Sequence, residues 1–146
     1  MHTLAQSPAF ATYAVLSLLL VLNLLFLWGY SGATRGRTKT AVNPEDAERF
    51  HARLGESDPP EVARVLRAHR NAESVIHPFL LLGLVYVLAG GGNAVLCTIG
   101  AVFVAARYVH SWTYLKAQQP WRTISFVVSG LALIALMIAI TLLLLK

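Results

Sequence analysis

Arg67, Arg70, Asn71 and Ser74 fall at i, i+3, i+4 and i+7, where an uncharged stretch from Ser74 to Ala106 begins. That spacing places all four on one face of one helix. Arg107, His110, Ser111 and Tyr114 repeat the spacing, and Arg122, Thr123 and Ser125 open the last apolar run. Arginines inside a bilayer are costly and are usually kept there for a reason. Several guanidinium groups can clamp two carboxylates through forked hydrogen bonds. A nearby cation also lowers a thiol's pKa and raises its thiolate fraction. A tripeptide thiol such as glutathione, with two carboxylates, an amine and a sulfhydryl, suits such a cluster. Its reaction partner would be a lipophilic electrophile arriving through the membrane.

Helices must hold these sets. No charged side chain precedes Arg35, and Ala9 to Tyr30 is nearly all apolar, about the length needed to cross a bilayer. No basic n-region precedes it and its apolar core is too long, so it reads as a span rather than a signal peptide. Gly90-Gly91-Gly92-Asn93 breaks the uncharged stretch with a strong turn signal. The pattern predicts an all-α bundle of four transmembrane helices at approximately 9–31, 60–89, 93–116 and 121–145, in one membrane domain covering 1–146. The second helix is expected to begin near Pro59-Pro60-Glu61, capped by Ser57 or Asp58. Asn43-Pro44-Glu45-Asp46 reads as an N-cap, a proline at N1 and acids in a first turn, predicting a short helix from Pro44 to about Leu54.

Arg35, Arg37, Lys39, Arg49, Arg53, Arg64, Arg67 and Arg70 crowd the first connection and the start of the second helix. Lys116 and Arg122 flank the third connection, and the Gly-rich turn has no basic residue. The positive-inside rule puts the first and third connections in the cytoplasm and both termini outside, with only Lys146 on the wrong side. The three polar sets then share one membrane face.

The chain is 56% hydrophobic and only 13% charged, against roughly 25% in soluble domains, which makes it an integral multi-pass membrane protein. No nucleic-acid partner is expected. The single Cys97 can form neither an intrachain disulfide nor a thiolate metal site, and no metal site is predicted. Cys97 itself reads as a small buried or lipid-facing residue. Plainer roles are expected for several residues. Arg37, Lys39, Arg53, Arg64 and Lys116 snorkel to headgroups. Glu73 can pair with Arg70 or Arg107, making part of the cluster structural. His77 reads as a helix-packing hydrogen bonder, and Trp112 and Trp121 as an interfacial belt.

Asn43-Pro44-Glu45-Asp46, Arg67-Ala68-His69-Arg70-Asn71, Pro78-Phe79-Leu80, Arg107-x-x-His110-x-x-x-Tyr114 and Pro120-x-Arg122-Thr123 together resemble the MAPEG superfamily. These are membrane-associated proteins of eicosanoid and glutathione metabolism. The likeness runs from Arg35 to about Ser129. It implies a four-helix protomer, a homotrimer, and glutathione bound between neighbouring subunits near the cytoplasmic face. By matching motif, Arg35, Arg70, Asn71, His110, Tyr114, Arg122 and Thr123 would line the glutathione site. Arg67 matches a family position too, and Arg107 is implied to hold the bundle together. In that family the arginine matching Arg122 stabilises the thiolate. The next hydroxyl, a serine there and Thr123 here, hydrogen-bonds the sulfur. The acid matching Asp46 has been proposed to help in prostaglandin isomerisation.

Three departures stand out. The family usually carries a glutamate three residues after the asparagine; Ser74 stands there and Glu73 lies one residue earlier, rotated by about 100°. Phe126 replaces a tyrosine, and one connecting residue before Pro120 is absent. The implied activity is conjugation, peroxide reduction or isomerisation of a lipophilic electrophile by glutathione thiolate. Prostaglandin H2 isomerisation, with Asp46 as candidate base, is the specific version. Two other readings remain open at this point: a non-catalytic lipid-binding scaffold of the same superfamily, and a small transporter or channel. No endoplasmic-reticulum retrieval tail is read, which favours a bacterial inner membrane; a eukaryotic host would imply the endoplasmic reticulum.

Overall fold

The computed structural model describes residues 6–145. Lys146, the lysine on the wrong side, lies outside them. Four long helices dominate: α1 (Pro8–Thr38), α3 (Pro60–Leu88), α4 (Asn93–Leu115) and α5 (Trp121–Leu144). Each is long and apolar enough to cross a membrane. Between α1 and α3 lie a short α2 (Pro44–Arg49) and a two-stranded parallel sheet of β1 (Thr40–Ala41) and β2 (Arg53–Leu54).

The last three long helices begin and end within a residue of expectation, but α1 runs two turns further. Its 31 residues reach about 46 Å at 1.5 Å per residue, against roughly 30 Å of hydrocarbon. Nothing between Tyr30 and Thr38 stops it. Ser31, Thr34 and Thr38 return their hydroxyls to the carbonyls of Trp28, Tyr30 and Arg35. It ends only at Lys39, which turns left-handed at φ 47°. By contrast α2 stops at Arg49, short of Leu54. His51 takes a positive φ, and the following backbone pairs with β1 instead, Arg53 N–H to Lys39 O at 2.9 Å and Gly55 N–H to Ala41 O at 2.8 Å. The expected Ser57 or Asp58 cap on α3 is also corrected. Pro59 holds the N-cap position with no side-chain cap, and Asp58 is engaged by Arg35.

The α3–α4 turn needs its glycines. Gly90 sits at φ +79°, and a Cβ on Gly91 would run into the Tyr86 ring, whose hydroxyl reaches Gly92 O at 3.2 Å. Within the bundle, α3 and α4 each pack against the other three long helices, whereas α1 and α5 do not touch among the described residues. The core interleaves Leu20, Leu27, Ile76, Leu96 and Leu136 around Phe79 and Phe103, whose rings stack 4.0 Å apart. Ser111 donates to the buried Asn23 Oδ1 at 3.0 Å, an interhelical bond where no water competes. Large apolar side chains face outward from the helices, as lipid allows and water would not. Cys97 is among the exposed residues, and Trp112 and Trp121 are exposed as an interfacial belt requires. His77 is exposed on α3 and makes no hydrogen bond among the described residues.

Candidate functional site

The antiparallel order of the long helices brings the end of α1, the start of α3, the end of α4 and the start of α5 to the same, basic end of the bundle. Arg107 lies deepest there, fully buried. Its Nη2 donates to Asn71 Oδ1 at 3.1 Å and its Nη1 to Ser129 Oγ at 3.4 Å, so one guanidinium ties α4 to both α3 and α5. Glu73 is not its partner, nor that of Arg70. It faces His69 Nδ1 at 3.5 Å, one turn back on its own helix.

One turn towards the basic end from Arg107 sits His110, 3% exposed. Its Nδ1 lies 2.9 Å from Arg122 O. A carbonyl only accepts, so Nδ1 carries the proton, and in the neutral ring Nε2 is left as a bare acceptor. That atom is buried and has no partner among the described residues. The Tyr114 ring stands edge-on to His110 at 5.6 Å, and the Arg122 guanidinium lies over the Tyr114 ring at 4.9 Å. Phe126, the residue in place of a tyrosine, puts its ring 5.9 Å from His110.

A further residue fixes Arg122. In the amide orientation that satisfies its surroundings, Gln119 Oε1 accepts from Arg122 Nη2 at 2.8 Å and Nε at 3.2 Å, and its amide nitrogen donates to Thr123 Oγ1 at 3.0 Å. Arg122 and Thr123 occupy the first turn of α5; their backbone N–H groups are bonded to Gln118 O at 3.1 Å and Pro120 O at 3.0 Å, and the helix dipole there favours an anion. Chemically, this corner offers a fixed cation, a hydroxyl and a helix N-terminus within one turn of chain.

The other expected site residues form a second group. Arg35 makes a forked contact with Asp58, Nη2 to Oδ1 at 3.1 Å and Oδ2 at 3.2 Å, and Nε to Oδ1 at 3.2 Å. Asp46 accepts from Asn43 Nδ2 at 3.0 Å. Arg35 and Asp46 share a cavity of about 460 Å³ beneath the α1–α2 connection, with Gly32, Lys39 and Phe50 in its wall. Arg67 and Arg70 project from the outer face of α3, exposed and without a hydrogen bond among the described residues. One protomer therefore gathers Asn71, His110, Tyr114, Arg122 and Thr123, keeps Arg35 and Asp46 apart in their own cavity, and leaves Arg67 and Arg70 facing outward.

Sequence reasoning missed Gln119, Asp58 and Ser129. Gln119 gave no signal beyond its place in a turn. Asp58 was read as a cap, a local role, and its partner is 23 residues away. Ser129 sits seven residues after Arg122, at helical spacing, which would have put it on the same face.

The sequence profile of the MAPEG family matches residues 13–142. The chain is 38% identical to the prostaglandin E synthase of Macaca fascicularis over 132 residues, 89% of this chain and 87% of that protein. It is 36% identical to the prostaglandin E synthase of Homo sapiens, again over 89% and 87% of the two chains. The microsomal glutathione S-transferase 1 of Rattus norvegicus is 34% identical over 82% of this chain and 79% of its own.

Proposed function

The chain belongs to the MAPEG family, an integral multi-pass membrane protein, and from that premise we propose that it is a glutathione-dependent enzyme acting on a lipophilic electrophile. The observation that carries the reading is the immobilised Arg122: stacked on Tyr114, clamped by Gln119, and followed by a hydroxyl at the N-terminus of α5. A scaffold has no use for a cation so fixed beside a donor.

The residues present fit the tripeptide. Arg67 and Arg70 have uncommitted guanidinium groups for carboxylates, and the buried His110 Nε2 is an acceptor awaiting an N–H. The Tyr114 hydroxyl has no partner in the protomer. When bound, glutathione supplies the sulfur nucleophile. Arg122 lowers the energy of the thiolate by its charge, and Thr123 donates to the sulfur. His110 acts twice, holding the Arg122 backbone through Nδ1 and facing the peptide with Nε2. Asn71 contributes its amide N–H₂, since its carbonyl oxygen belongs to Arg107. The homotrimer is what the family resemblance implies, and in it the outward-facing Arg67 and Arg70 would reach a ligand across a subunit boundary.

Prostaglandin H2 isomerisation is the specific version that the resemblance implies, with Arg122 and Thr123 at the sulfur; Asp46 is its candidate base by the same resemblance and lies in the separate cavity it shares with Arg35. The basic end faces the cytoplasm by the positive-inside rule. The test is glutathione binding to the detergent-purified protein, followed by the ultraviolet thiolate difference signal, on wild type and Arg122→Ala. Binding with a signal that Arg122→Ala removes, while assembly is retained, supports the enzyme. No binding at millimolar glutathione overturns it in favour of a scaffold.

A further inference from the structure

We infer that Gln119 is a positioning residue that sets both the aim of the Arg122 guanidinium and the direction of the Thr123 hydroxyl proton; the inference rests on the thiol-activating role proposed for those two residues. Gln119 lies in the connection after α4, two residues before α5 begins, and its side chain is exposed. It fills no core gap, so its contacts are its content. Its amide spans the two groups that matter. Oε1 accepts from Nε and Nη2 of Arg122, at 3.2 and 2.8 Å, which are the two donors along one edge of the guanidinium. That edge is then satisfied, and the remaining N–H groups must point the other way. Tyr114 supports the flat face at 4.9 Å. With one edge and one face held, the free edge has a single direction.

The nitrogen end of the same amide does a second job. It donates to Thr123 Oγ1 at 3.0 Å, a shorter contact than the 3.3 Å at which that hydroxyl could donate back to Oε1, an oxygen already holding two Arg122 N–H groups. A hydroxyl that accepts from an amide keeps its own proton free to donate elsewhere. A thiolate is acceptor-only, so the direction of that proton decides whether Thr123 stabilises the sulfur anion or ignores it. The neutrality of the side chain matters equally. A carboxylate in the same place would accept from Arg122 as well, but it would cancel the cation that the sulfur needs. Glutamine holds the arginine without neutralising it. An ordinary surface contact between near neighbours in sequence would predict none of this.

The experiment titrates the thiolate signal of the glutathione complex against pH, with glutathione affinity measured in parallel, on the assembled protein. Wild type is compared with Gln119→Ala, Gln119→Glu, Thr123→Val and the double variant Gln119→Ala/Thr123→Val. Gln119→Ala should raise the thiolate midpoint by about half a pH unit, a roughly threefold loss of thiolate at fixed pH, with affinity within about twofold of wild type. Gln119→Glu should raise it further, by about one unit or more, although it keeps an acceptor for Arg122. In the Thr123→Val background the Gln119→Ala effect should shrink, because part of it passes through that hydroxyl. An unchanged midpoint in Gln119→Ala, a Gln119→Glu midpoint at or below wild type, or full additivity in the double variant would overturn the positioning role. Absence of any thiolate signal in wild type would instead overturn the proposed function itself.

Discussion

Asn71 is a glutathione contact by family resemblance, yet its carbonyl oxygen is spent on Arg107, and that can be tested by stability alone. Arg107 is fully buried, and its guanidinium has two side-chain partners, Asn71 Oδ1 at 3.1 Å and Ser129 Oγ at 3.4 Å. The first is a well-formed hydrogen bond to a charged donor, worth about 1.5–3 kcal/mol. The second is at the outer edge of the geometric range and should be worth about 0.5–1 kcal/mol. Asn71→Leu keeps the volume but strands the cation, with no water to replace the lost oxygen. The expected cost is about 3 kcal/mol, the upper end for losing a hydrogen bond to a charged group. Ser129→Ala should cost less than about 1 kcal/mol. Arg107→Met removes the charge together with its need for partners, and should cost less than Asn71→Leu. The assay is reversible unfolding in mixed detergent micelles without glutathione, following helicity. If Ser129→Ala matched Asn71→Leu, or Arg107→Met were the most damaging of the three, the account of Arg107 as a charge held chiefly by Asn71 would be wrong.

Two further outcomes separate the two groups of site residues. Asp58→Asn should release Arg35 from its forked contact. With the Arg35 side chain 42% exposed the pair is partly screened, so stability should fall by less than about 1 kcal/mol, and glutathione affinity should rise about threefold. Isothermal titration reads this, and a fall in affinity would remove Arg35 from the ligand. Arg67→Ala and Arg70→Ala should each raise the KM for glutathione about tenfold with little change in kcat, since a carboxylate contact is lost in ground and transition states alike. Steady-state kinetics beside size-exclusion chromatography checks it; lost assembly with an unchanged KM would reassign both arginines to subunit contacts.

The helices were legible because a bilayer leaves few alternatives. Apolar runs of spanning length, a triple-glycine turn, Pro60 at N1 of α3 and Pro120 at the N-cap of α5 fixed α3, α4 and α5 almost to the residue. The end of α1 was not legible, because past the hydrocarbon a helix can continue or stop, and the hydroxyls of Ser31, Thr34 and Thr38 favoured continuing. The β1–β2 pairing was illegible for another reason: two residues a side carry no periodicity to read. The stripe of Arg107, His110 and Tyr114 could be seen at helical spacing, and it does face the bundle interior. What spacing could not supply was partnership. Glu73 had three basic neighbours on or near its face and took the least charged, His69. Arg35 took Asp58 across the first connection, and Gln119 reached forward over the turn to Arg122.

The outward face of α5 near Arg122 is apolar, with Trp121, Ile124 and Phe126 exposed beside Thr123. A hydrophobic reactant meeting the site along that face is dissolved in two dimensions, not three. Its effective concentration is then a mole fraction in the lipid, while the thiol's is a molarity in water. Diluting the enzyme into more lipid at constant total reactant should slow turnover, and adding buffer that holds the glutathione concentration constant should not. An apparent KM for the lipophilic reactant therefore has meaning only with the lipid quantity stated beside it.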